Sequence, residues 1–61
     1  MTSQLDIYRT ARELIDQHGD EALLVAKMRA DALVQSHDAK SAAVWLGVVR
    51  AIKVLRSKPD G

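Results

Sequence analysis

Apolar residues recur along this chain at helical spacing, in three runs separated by two short polar breaks. In the first run Ile7, Tyr8, Ala11, Leu14 and Ile15 share one face of a wheel drawn at 100° per residue, with Arg9, Arg12, Glu13, Asp16 and Gln17 opposite. The second run has two apolar stripes. Ala22, Leu23, Ala26, Ala30 and Leu33 form one, Leu24, Val25, Met28 and Ala32 form the other, and Lys27, Arg29 and Asp31 separate them. The third carries Val44, Val48, Ala51, Ile52 and Leu55 as a continuous stripe, widened by Trp45, Gly47, Val49 and Val54. Only Arg50, Lys53, Arg56 and Ser57 remain as a polar strip, interrupted by Leu46. No period-two alternation, internal repeat, low-complexity tract or linker breaks this pattern. It predicts an all-α fold: one domain, residues 1–61, of three short helices at about 4–18, 21–36 and 39–57 in a compact bundle.

Start and stop signals set those boundaries. Ser3 followed by Asp6 resembles a capping box and starts the first helix near Gln4. Gly19 is placed to take a left-handed conformation just past its end, and His18 in the last turn suits the negative end of the helix dipole. Asp20 is then the expected N-cap of the second helix. The next break, Ser36-His37-Asp38, has no glycine, and Asp38 is the expected N-cap of the third helix. Pro59, Asp60 and Gly61 end the chain. Breaks this short join neighbouring helices that pack antiparallel or sharply crossed.

Three short helices around one core can each hide a single stripe. The second stripe of helix 2 and the flanks of helix 3 exceed that allowance, and an exposed patch beyond a few hundred Å² usually marks a contact site. The expectation is a homo-oligomer, with a dimer favoured, that pairs through Leu24, Val25, Met28, Ala32, Trp45 and Val49. Each Val, Leu, Ile or Met fully buried is worth roughly 1.5–3 kcal/mol, and in a C2 dimer the same patch is used twice. Trp45 admits two readings, an interface anchor or a core residue whose indole N–H finds a carbonyl or water. Gly47, with Ala43 and Ala51 one turn to either side, makes a ridge that permits close helix approach, at about 1 kcal/mol of helix propensity relative to Ala.

Length sharpens the point. At 61 residues a chain buries only about 60% of the surface its unfolded form exposes. Domains this small lean on disulfides, metals or association. With no Cys there is neither a disulfide nor a thiolate metal site. The lack of Cys fits a reducing compartment, the first residues show no leader pattern, and the expected location is the cytoplasm. The uncharged run from Ser41 to Val49 falls far short of the roughly 20 residues a membrane span needs.

Charge adds one further candidate. Nine Lys and Arg against eight Asp and Glu leave a net charge of +1, without the basic bias of an electrostatic nucleic-acid footprint. The C-terminal third is locally basic, however, and Arg50, Lys53 and Arg56 are candidate contacts to an anionic partner. A small nucleic-acid-binding module using that strip is the alternative function. Against it, a helix-turn-helix reader presents a polar recognition helix, whereas the last helix here is strongly apolar. Trp45, Leu46 and Val49 opposite the strip look interfacial, yet a helix apolar nearly all round suits burial in protein better than a membrane surface.

Catalytic chemistry finds little support. His18 and His37 stand near Asp20 and Asp38, but metal or general-base work needs a third convergent group that the spacing does not require. Helix-terminal histidines favoured by the dipole explain both. The Arg9/Glu13 and Lys27/Asp31 pairs have i, i+4 spacing, worth a few tenths of a kcal/mol as surface pairs. The expectation is therefore no catalytic residue, no cofactor and no metal, in a non-enzymatic interaction or regulatory module.

The segments "YRTARELIDQHGDEA" and "MRADALVQSHDAKSAAVWLGVVRAIKVL" carry a resemblance. Over residues 7 to 55 the chain resembles a group of small uncharacterised bacterial helical proteins with a His-Gly turn, an Ala-rich second helix and an Ala-Val-Trp opening to an apolar third. The resemblance implies a helical fold and carries no activity onto particular residues. Ser36-His37-Asp38 departs from the Gly-Asp turn usual at the second break.

Overall fold

Helical backbone hydrogen bonding runs without a coil residue from Gln4 to Gln35 in the computed structural model, which describes residues 4–57. Helix α1 spans Gln4–His18, a 3-10 turn covers Gly19–Glu21, α2 spans Ala22–Gln35, and α3 spans Ala39–Arg56. Outside positions 36–38 and 57 every described residue is helical, and none is in a strand. By backbone continuity these are two helical stretches, the first bent at its 3-10 turn, where three separated helices were expected. The Ser3 half of the expected capping box, and Pro59, Asp60 and Gly61, lie outside the described residues.

Gly19 makes the bend. Its φ of +57° is the left-handed conformation that glycine adopts at no steric cost. The chain turns there while the Ala22 N–H donates to the Gly19 carbonyl, so helical bonding continues in its tighter form. One expectation is corrected at this point: Asp20 does not cap α2. The N-cap position belongs to Glu21, whose side chain makes no capping hydrogen bond, and the Asp20 side chain is drawn to Arg56 instead.

The second break has a different construction. His37 takes a positive φ of 63°, doing without glycine what Gly19 does with it. Its N–H donates to the Val34 carbonyl at 3.0 Å, and the Asp38 N–H donates to the Leu33 carbonyl at 2.9 Å. This pair of bonds is the Schellman pattern, which satisfies carbonyls at the end of α2 that would otherwise be orphaned. Asp38 caps α3 as expected: Oδ1 accepts from the Ser41 N–H at 3.2 Å, and the Asp38 carbonyl accepts from the Ala42 N–H at 2.9 Å. At the far end the Ser57 N–H and Oγ both donate to the Lys53 carbonyl, at 2.9 and 2.7 Å.

Packing centres on α3, which lies against both α2 and α1. Helix α2 returns antiparallel to α3, since the tight turn at 36–38 joins their near ends and Arg56 meets Asp20 at the other. Six alanines (11, 22, 26, 30, 42 and 51) are buried with Val48, Val49 and Ile52, and Ile7, Tyr8, Leu14, Ile15, Leu23, Trp45 and Leu55 close over the core they form. The face expected of the first helix is thus the one α1 uses. A side chain on Gly47 would bring its Cβ to 3.2 Å from Ile7 Cδ1, so α1 and α3 approach closely there because Gly47 has none. The resulting particle has extents of 40 × 24 × 17 Å and a radius of gyration of 11.6 Å, against about 10.5 Å for a compact domain of this length.

Candidate interaction surface

Helix α2 turns its smallest residues inward. Ala22 and Ala26 are fully buried and Ala30 nearly so, which lets α2 lie close on α3 but removes little apolar surface from water. The large residues face out: Leu24 is 58% exposed and Met28 62%. Both belong to the second stripe of α2. Ala32 is exposed beside them and Val25 half-buried at their edge. These four occupy one side of α2, roughly opposite its alanine stripe at 100° per residue.

The two remaining members of the expected interface lie elsewhere. Val49 is 6% exposed and belongs to the chain's own core, on the flank of α3 where the small side chain of Ala30 admits it. It therefore offers little surface of its own to a partner. Trp45 is half-buried and packs against the core, and the Arg29 guanidinium carbon sits 5.5 Å from its ring centroid. That geometry is a cation–π contact. It occupies one face of the ring from within the chain, while Trp45 stays partly exposed.

Other apolar residues are as exposed as Leu24: Leu46, Val54, Val34 and Leu5. Leu46 carried a signal in the sequence, since it interrupts the polar strip of the last helix. Val34 fell in neither stripe of the second run, and the stripe pattern does not reveal its exposure.

The basic strip divides in two. Arg56 is committed within the chain, its Nη2 to Asp20 Oδ1 and its Nη1 to the Asp20 carbonyl, each at 3.2 Å. Arg50 and Lys53 are exposed and line an open groove between α2 and α3 with Lys27, Asp31 and Leu46, over a floor of Ala30 and Val49. Asp20–Arg56 is a side-chain salt bridge between two described residues, and neither Lys27/Asp31 nor Arg9/Glu13 closes to ion-pair distance.

The histidines stand apart. His18 ends α1, and His37 follows α2, so the 14 residues of α2 separate them by about 21 Å at 1.5 Å per residue. No group of three or more His, Cys, Asp or Glu among the described residues is placed to hold a metal ion. No helix among them is long and apolar enough to cross a membrane. Every buried residue described is apolar. Comparison with protein-family models, with curated proteins and with solved structures finds no match to this chain.

Proposed function

We propose that this chain is a protein-interaction module that associates with copies of itself, with the outward face of α2 as the principal contact. The observation that carries the reading is an inversion of size. The core is filled by alanines and three β-branched residues, while Leu24, Met28 and Leu46 are each more than half exposed. A chain of 61 residues has little apolar surface to spare, and leaving its larger side chains in water costs stability that a partner surface would recover.

The magnitude favours reversible pairing. Burying the exposed parts of Leu24 and Met28 on two copies recovers roughly 4–7 kcal/mol. That only just meets the low end of the association cost of roughly 4–15 kcal/mol, so these two residues alone give weak pairing that appears at high concentration, and a tighter pair needs the surrounding contacts as well. Such a response suits a regulatory or scaffolding role without chemistry of its own. The absence of Cys suits the reducing cytoplasm, where we place it. Light scattering across a concentration series is the test: mass should rise above the 6.7 kDa of one chain, and a constant 6.7 kDa at every concentration would overturn the reading.

A second reading keeps an anionic partner such as nucleic acid on the groove. It is favoured by Lys27, Arg50 and Lys53 sharing one rim with Asp31 as its lone carboxylate. Retention on heparin at low salt, abolished by Arg50→Glu with Lys53→Glu, would support it, and unchanged retention would remove it.

A further inference from the structure

We infer that the second copy docks antiparallel along α2, with the two Met28 side chains meeting at a twofold axis. The inference rests on the self-association proposed above and adds its register.

Met28 lies midway between Glu21 and Gln35, and midway between Leu24 and Ala32. In an antiparallel pair centred on Met28, Leu24 of one copy therefore meets Ala32 of the other. A large side chain faces a small one, twice, which is the alternation that lets helices interdigitate. At the two ends of the contact Glu21 meets Gln35, a carboxylate facing an amide that can donate to it. Nothing charged lies on the line between those ends, since Leu24, Val25, Met28 and Ala32 fill it.

The rim makes the same choice. Lys27 and Asp31 are exposed on one edge of this face, and neither forms a salt bridge within its own chain. A twofold axis perpendicular to the helices brings like edges together, running in opposite directions. Lys27 of each copy then lies about 3 Å in height from Asp31 of the other. Lys27 of the other copy, at the same height difference, is farther off because Lys27 stands about 40° further from the seam than Asp31. A parallel pair would instead set Glu21 beside Glu21 and turn Lys27 of each copy toward the exposed Arg29 of the other, a like-charge contact, with Asp31 facing Val25. The groove between α2 and α3 is a poorer self-contact, because it gathers three cations, Lys27, Arg50 and Lys53, around the single carboxylate of Asp31.

Cysteine cross-linking tests the register in a chain that has no Cys of its own. Met28→Cys should oxidise to a disulfide-linked dimer about tenfold faster than Leu24→Cys, because a disulfide needs Cα atoms within about 7 Å. Leu24→Cys mixed with Ala32→Cys should give the mixed dimer in preference to either homodimer. The rim has its own test: Lys27→Glu alone and Asp31→Lys alone should each weaken pairing, and an equimolar mixture of the two should restore it as a heterodimer. Circular dichroism of each variant confirms that it folds. Pairing with fastest cross-linking at Val34→Cys or Leu46→Cys would overturn this register and leave self-association standing. A wild-type chain that stays monomeric at all concentrations would overturn both.

Discussion

The Arg56 guanidinium reaches across 36 positions to hold Asp20 at two points, the carboxylate and the backbone carbonyl, and so ties the end of α3 to the turn between α1 and α2. The contact is open to water: the Arg56 side chain is 40% exposed and that of Asp20 99%. Exposed ion pairs contribute little and are screened by salt. Arg56→Ala should therefore lower the thermal midpoint by a few degrees at most in dilute buffer. In about 1 M salt, where the screening length is about 3 Å, the difference should vanish. A large fall that persisted in salt would mean that the contact organises the turn.

His37 holds a left-handed conformation at which a side chain costs roughly 1–2 kcal/mol. Glycine adopts it freely, although it adds entropy to the unfolded chain. The net expectation for His37→Gly is a gain of about 1 kcal/mol, equivalent to a midpoint raised by roughly 4–8 °C in a domain of this size. Thermal melting by circular dichroism measures it. An unchanged or lowered midpoint would mean that the imidazole contributes something the backbone geometry does not disclose.

Burial separates core from surface in a way that two substitutions expose. Ile52 is among the largest fully buried side chains, and Ile52→Ala should cost about 2–5 kcal/mol, close to the whole stability of a domain this small. Loss of a cooperative melt is the expected outcome. Met28→Glu, on an exposed position, should leave the helical spectrum at low concentration intact while abolishing the rise of mass with concentration. If Met28→Glu instead unfolded the dilute protein, folding and pairing would be one process.

Gly47 tests the contact between α1 and α3. Its ideal Cβ would lie 3.2 Å from Ile7 Cδ1, a distance that requires Ile7 to shift. In Gly47→Ala the helix-propensity gain of about 1 kcal/mol offsets that shift, and stability should change little. Gly47→Val has branches that the gap cannot take, and should destabilise by about 1–3 kcal/mol in equilibrium denaturation. Equal stability of the two variants would show that the helices separate there at no cost.

The sequence by itself determined the elements whose causes are local. The α1 face of Ile7, Tyr8, Ala11, Leu14 and Ile15, the left-handed Gly19 and the Asp38 cap all follow from residues within a turn or two of one another, where periodicity and capping act. Tertiary structure decided what depends on distance along the chain. Asp20 has the chemistry of an N-cap, yet the 3-10 turn puts Glu21 at the cap position, and the Asp20 carboxylate meets Arg56, far away in sequence. Val49 and Leu24 are similarly apolar, and only the packing of α2 on α3 buries the first and leaves the second in water. The physical reason is that hydrophobicity has no direction: a helix with two greasy stripes has two ways to face inward. The alanine stripe went in, where its short side chains let the backbones approach, and the larger Leu24 and Met28 were left in water.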